Sequence, residues 1–456
     1  MVDLELPPQL ADFSPRMPFS EGPIYDRFDQ LEREDFLKEE ARFTTGAEVI
    51  LADYELLQHD FPCLREDRLE MECPELKLLT GEVRKIVIRQ RIDEWLLRHS
   101  CWMSFNQAAQ DMVNTPIPVT KDETYVYRPT LYGRACIASI KNNREALGIK
   151  PPKGFEDEDG LLDIKGFGLA PGQKHRYWNH GNGLISLEEC FKEYLNQQLV
   201  QAIFRHSGSK FETLPTYAII KLDFNLRNER DDMGPAGLMV RRAHKRPENP
   251  GGLPVYQTDM QLVQLEAELL LRHYGVTSCN YVTGVRVWKD AGNQFRVKYG
   301  DHEIQNLSPD QMKNLEEVSR LQDKSLYFEG VNIQHTREFT LDPPHLTVID
   351  FGSFEIREKF IYPLLSLVSD RLLHWGGSIW PDFDNYPQPV EEIRVPFDVW
   401  GDNTHFWGFE VGLKASKQGA LCKGVAEHLG TGELTRRDAA NILNAFLSTA
   451  ISRWIG

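Results

Sequence analysis

Cysteine is sparse and unpaired in this sequence. Its seven cysteines, at 63, 73, 101, 136, 190, 279 and 422, are scattered and contain no CxxC pair. That excludes a zinc ribbon and a disulfide framework, and it is what a cytoplasmic protein is expected to show. No segment approaches the roughly 18 consecutive apolar residues that a membrane span needs. The opening residues, Met1-Val2-Asp3-Leu4-Glu5-Leu6-Pro7-Pro8, have neither a basic region nor an apolar run, so no secretory signal is expected there. Basic residues are also in deficit: 52 Lys and Arg against 68 Asp and Glu give a net charge of −16. That balance argues against nucleic acid or an anionic membrane as a partner. Internal repeats and low-complexity tracts are absent too.

What is present is an ordinary globular composition, 41% hydrophobic and 26% charged over 456 residues. A chain of this length buries a large core and falls into two or three domains. Residues 1–120 read as a mostly helical N-terminal extension, with a short helix expected around Arg27–Arg42 and a longer one through Arg84–Leu97. Residues 121–255 read as a mixed-sheet lobe. Thr124–Ala138 suggests two strands about a glycine turn, and Leu161–Lys165 a half-buried strand with Asp163 and Lys165 on its polar side. Ser186 and Glu189 have the spacing of a capping box, which starts a helix running to about Phe204. Strands are expected at 216–222 and 236–243, around the charged loop Asn225–Asp232.

Residues 256–456 read as a mainly helical lobe. Helices are expected at Gln261–Tyr274, Pro309–Leu326, Phe360–Trp375 and Thr435–Ile455, and a hairpin at Val282–Val297. The layout is α+β.

Within the last lobe, Leu346-Thr347-Val348-Ile349-Asp350-Phe351-Gly352 is a short apolar run ending in Asp-Phe-Gly. A carboxylate at the end of a buried strand, followed by a residue that frees the backbone, is what a Mg²⁺-phosphate site requires. Such chemistry also calls for a lysine on a strand, a glutamate on a helix to fix it, and arginines for phosphate. Lys165, Glu193, Arg241, Arg246 and Asp350 supply these in order. Each has a plainer reading. Lys165 suits a solvent-facing strand position, Glu193 a helix rim, and the run Val240–Arg246 a solvated basic face.

Taken together, six blocks resemble the selenoprotein O family of kinase-like protein adenylyltransferases. Ile164-Lys165-Gly166 is similar to the family's Leu-Lys-Gly, Asn182-Gly183 to its Asp-Gly, and Lys192-Glu193-Tyr194-Leu195 to its Arg-Glu-Phe-Leu. Val240-Arg241-Arg242-Ala243 with Arg246 resembles its Val-Arg-Val-Ala strand and following arginine. Gly330–Thr336 and Ile349–Gly352 resemble its catalytic loop and Ile-Asp-Tyr-Gly strand. The resemblance covers about residues 125–360 and implies a bilobal protein-kinase-like fold. It implies ATP and Mg²⁺ (or Mn²⁺), and transfer of AMP to a protein hydroxyl. Lys165, Asn182, Gly183, Arg241 and Arg246 would contact nucleotide, Glu193 would orient Lys165, and Asp350 would bind metal.

The chain departs from the family at the catalytic loop, where His335-Thr336 replaces Asp-Asn. His335 is then either the base or a structural histidine. Thr336 and the nearby carboxylates Glu338 and Asp342 are the candidate replacement metal ligands. Two other functions stay open: an ATP-dependent enzyme that activates a small-molecule metabolite, and a nucleotide-binding pseudokinase.

Overall fold

The computed structural model describes residues 36–104, 117–129, 134–151, 154, 160–169, 183–209, 211–227, 233–243, 276–278, 285–289, 292, 295–299, 302–304, 346–348, 351, 354–356 and 421–454. The largest element is an antiparallel sheet. It is built from β1 (Phe36–Thr44), β2 (Glu48–Ala52), β3 (Trp102–Ser104), β4 (Val119–Pro129), β5 (Ala135–Ser139), β6 (Leu161–Lys165), β9 (Thr216–Arg227) and β10 (Met233–Arg242). Their spatial order is β2-β9-β10-β6-β5-β4-β1-β3, and the short β7 (Ile185–Ser186) joins at β10. The architecture is therefore α+β with an antiparallel sheet.

Helices cover both faces of that sheet. One face carries α1 (Tyr54–Asp60), α2 (Glu66–Glu72) and α3 (Gly81–Ser100). Leu57, Ile88, Ile92 and Leu96 pack there against Leu162, Ile164, Leu238 and Val240. The other face carries α5 (Leu187–His206), the helical residues 421–431 and α6 (Arg436–Trp454). Phe191, Leu195, Val425, Leu443 and Phe446 form that core with Ile219 and Met239. A further short helix, α4 (Ile140–Ala146), follows β5 directly.

Double coverage corrects the half-buried reading of Leu161–Lys165, since every residue of β6 is buried. The alternation itself holds: Leu162 and Ile164 face α3, while Asp163 and Lys165 face α5.

The helix expected at Arg27–Arg42 is replaced over Phe36–Thr44 by strand β1, paired on both sides to β4 and β3. Long-range pairing overrides a charged local sequence there. Glu39 is drawn into the sheet by Arg128, whose Nε lies 2.8 Å from its Oε2 with both side chains almost fully buried. Glu48–Ala52, inside a stretch that reads as helical, is likewise a strand, while α3 matches the expected Arg84–Leu97 helix. The strands at 216–222 and 236–243 extend into a long hairpin in which Arg227 pairs with Met233.

The Arg128 guanidinium also donates to the Gly168 carbonyl at 2.8 Å and lies over the Phe167 ring. Removing one partner of such a pair strands a buried charge. Glu39→Ala is therefore expected to cost about 3–5 kcal/mol in urea unfolding. A cost below about 1 kcal/mol would show that Arg128 is already satisfied by backbone and water.

Toward the C-terminus, β12 (Val285–Lys289) and β13 (Phe295–Tyr299) form the expected hairpin, extended by β14 (His302–Ile304). β11 (Val276–Ser278) pairs with β16 (Phe354–Ile356). β8 (Phe211–Thr213) pairs in parallel with β15 (Leu346–Val348), the strand that leads to Asp350. The final helix starts at a reciprocal cap: Thr435 Oγ1 donates to Asp438, and Asp438 N–H returns to Thr435 Oγ1. Arg436 then reaches back to Asp93 at 2.9 Å and to the Val49 carbonyl at 3.3 Å, tying α6 to α3 and β2. The helices expected at Gln261–Tyr274, Pro309–Leu326 and Phe360–Trp375 lie outside the described residues. Among the described residues no helix is long and apolar enough to cross a membrane.

Candidate functional site

Lys165 ends β6, and its side chain points at α5. Ser186 caps α5 by accepting from Glu189 N–H at 3.1 Å, which fixes where the helix begins. Glu193 then falls in its second turn, over β6 and β10. Lys165 Nζ and Glu193 Oε2 form a direct ion pair, and both side chains are almost wholly buried. The solvent-facing reading of Lys165 and the rim reading of Glu193 are both corrected by this contact. α5 is buried on nearly all sides, so a charge on it needs a partner.

Arg241 joins the pair from β10. Its Nη1 lies 3.3 Å from the second oxygen of Glu193. Its Nε and Nη2 donate to Asp163 Oδ1 at 2.9 and 2.7 Å. Register brings this about, because Asp163 sits directly opposite Arg241 and Lys165 opposite Met239 on the same face. Two cations and two carboxylates thus share one buried cluster, which offsets their desolvation.

The basic run around Arg241 is not a single patch. Arg242, the next residue along the strand, faces the other side of the sheet. There it makes two hydrogen bonds to Asp60, at 2.8 and 2.6 Å, and Tyr217 donates to the same carboxylate at 2.6 Å. Arg242 therefore braces α1 against the sheet.

The turn after Lys165 is set by glycines. Gly166, Gly168 and Gly183 all have φ between +70° and +105°, where a side chain is unfavourable. Gly166 N–H and Phe167 N–H donate to the Arg134 carbonyl at 2.8 and 3.2 Å, and Gly168 N–H to the Gly183 carbonyl at 3.0 Å. The Arg134 side chain pairs with Glu189 in the first turn of α5. Burial, with Glu189 and Glu193 near, pushes the thiol of Cys190 well above its ordinary range.

A polar stripe continues along α5. One turn below Glu193, Asn196 Nδ2 donates to the Phe351 carbonyl at 2.8 Å. Gln197 Nε2 donates to Thr213 Oγ1 at 3.0 Å. Gln201 Oε1 accepts from Thr213 N–H and Oγ1 at 2.8 and 2.7 Å. Phe351 itself is buried in the core around α5.

Of the residues expected from sequence, Lys165, Glu193 and Arg241 meet in one cluster. Gly183 lies against the turn that follows Lys165. Asn182, Arg246, His335, Thr336, Glu338 and Asp350 lie outside the described residues. Among the described residues, no group of three or more His, Cys, Asp or Glu side chains is close enough to hold a metal ion. Asp163, Arg134 and Asn196 belong to the arrangement, although sequence reasoning gave them no role. Asp163 had a visible signal: it lies two residues before Lys165, on the same face of a strand. Asn196 had the spacing signal of a residue three after Glu193 on a helix.

No protein-family model matches the chain, and a search of curated proteins found no match.

Proposed function

We propose that this chain is an ATP-dependent transferase on a two-lobed, kinase-like frame, moving AMP to a hydroxyl of a protein. The observation that carries the reading is the buried contact of Lys165 with Glu193, with Arg241 on the same carboxylate. A strand lysine fixed by a helix glutamate, beside a guanidinium and a glycine turn, is the donor set that polyphosphate requires. The glycines let the turn pack closely: a side chain at Gly166 would strike Ile185 and the Gly237 carbonyl, and one at Gly183 the backbone of Gly168 and Leu169.

In this reading Lys165 and Arg241 hold phosphate oxygens, with Asn182, Gly183 and Arg246 completing the nucleotide contacts. Glu193 keeps the ammonium oriented. Asp350, with Thr336 and Glu338, would hold Mg²⁺, which when bound offsets charge on the phosphates. The acceptor oxygen bonds to the α-phosphorus as the bond to the β-phosphate oxygen breaks. Pyrophosphate leaves, and the hydroxyl proton passes to a base, for which His335 is the candidate.

Incubation with Mg²⁺ or Mn²⁺ and ATP labelled at the α or γ position tests this. Label from the α position entering protein is the expected result, and Asp350→Ala lowers it on the order of 10²-fold or more. Label from the γ position alone means phosphate transfer. Release of AMP or pyrophosphate without protein labelling means activation of a small metabolite. Nucleotide bound but not consumed means a pseudokinase. Full activity in Asp350→Ala would remove that residue from the site.

A further inference from the structure

We infer that Asp163 is a built-in competitor for phosphate at Arg241, holding the site below the anion affinity that its cations could reach. The inference rests on the reading of Arg241 as a phosphate contact; the ion pair itself does not depend on that reading. Arg241 Nε and Nη2 both donate to Asp163 Oδ1, at 2.9 and 2.7 Å, and Nη1 lies 3.3 Å from Glu193 Oε1. Every guanidinium nitrogen is therefore engaged by an acid before any nucleotide arrives. The Nε–Nη2 edge is one that could grip two phosphate oxygens side by side, and a carboxylate oxygen occupies it.

Register builds this contact in. Asp163 stands opposite Arg241, and Lys165 opposite Met239, on the paired strands β6 and β10. The other edge of β6 is held as well, with Asp163 opposite Ile137 of β5. A one-residue slip that parted Asp163 from Arg241 would also turn Lys165 away from α5. Both side chains of the pair are almost wholly buried, so neither can swing out into water. Release of Arg241 then depends on side-chain rotation inside the cluster.

Charge decides the direction of the effect. Lys165 and Arg241 are balanced by Glu193 and Asp163, so these four side chains sum to no net charge. A phosphate group approaching Arg241 meets Asp163 as a like charge, in a buried setting where electrostatic forces are strong and screening is weak. With residue 163 neutral, the remaining three carry a positive surplus, and phosphate supplies the missing anion. A carboxylate that only positioned Arg241 would act in the opposite sense, because loosening the guanidinium would weaken its grip on phosphate.

The test uses the full chain carrying Asp163→Asn, which keeps the shape and an acceptor oxygen, or Asp163→Thr, which suits a strand. Binding of inorganic tripolyphosphate and of a fluorescent ATP analogue is titrated without divalent metal. Thermal unfolding is followed with and without tripolyphosphate. Expected is binding of both probes tightened on the order of 10-fold or more. Tripolyphosphate should also raise the unfolding temperature more than it does in wild type. Adding Arg241→Gln to Asp163→Asn should remove the gain. A carboxylate that serves the fold alone would lower the unfolding temperature equally with and without the anion. Unchanged or weaker binding in the variants, beside measurable wild-type binding, overturns the competition and leaves the nucleotide reading in place. A gain that survives Arg241→Gln overturns the assignment to Arg241. Loss of folding in both variants that tripolyphosphate does not restore overturns it too, since Asp163 is then purely structural. Binding of neither probe by wild type or variants overturns the functional reading, and the competition with it.

Discussion

Glu193→Ala is expected to destabilise the protein by about 3–5 kcal/mol and to abolish nucleotide binding. One carboxylate serves two buried cations, Lys165 on one oxygen and Arg241 on the other. Truncation removes the carboxylate that Lys165 and Arg241 share, leaving two buried cations with one counter-charge fewer. Glu193→Gln retains the shape and one acceptor oxygen, so it should cost less. It should still weaken nucleotide binding, because the lysine loses the charge that orients it.

A double variant separates pairing from packing. Lys165→Met with Glu193→Leu removes both charges and fills the space. Replacing a buried pair by apolar groups of similar volume is often nearly neutral. The double variant should therefore be more stable than Glu193→Ala alone, with a coupling energy of about 1–3 kcal/mol between the two sites. Urea unfolding of wild type, the two component single variants and the double variant measures it. Additive losses would mean that the pair is not a unit. Nucleotide binding should be lost in the double variant despite its stability, which distinguishes a functional pair from a structural one.

The second large effect is steric. Gly183 has φ +70°, and a methyl group there would overlap the backbone of Gly168 and Leu169. Backbone cannot rotate away as a flexible side chain can. Gly183→Ala is expected to cost on the order of 3–5 kcal/mol, the range reserved for mutations with a named severe mechanism. Gly208 supplies the control. It has a similar φ of +64°, but nothing lies within 4 Å of the place a methyl group would take. Gly208→Ala should cost only the left-handed penalty, about 1–2 kcal/mol. Equal losses at the two positions would show that backbone conformation alone matters and that the contact between the two turns relaxes freely.

Local signals carried the helices well. The α3 stretch has apolar residues at helical spacing, Ser186 and Glu189 mark the start of α5, and Thr435 marks the start of α6. Each depends on residues within one turn of one another. β1 was not legible, because Phe36–Thr44 is charged and resembles a helix; its identity depends on Arg128, far along the chain. Arg241 and Arg242 read as one basic cluster, yet strand alternation sends them to opposite faces with different carboxylates. Nothing in a run of basic residues says which of them has an acid waiting on each side.

By itself, the sequence determined the α+β character, the residue types available for phosphate chemistry, and the order in which they occur. It also determined the alternation that sets Asp163 and Lys165 on one face of β6. Only the tertiary structure decided that this face is buried, that Glu193 rather than water meets Lys165, and that Asp163 shares Arg241. Only it joined Asn196 to Phe351. The physical reason is that burial and counter-charge are properties of pairs distant in the chain. A lysine on a strand has the same local sequence whether it faces solvent or a helix, and the covering helix, placed by its own core, makes the difference.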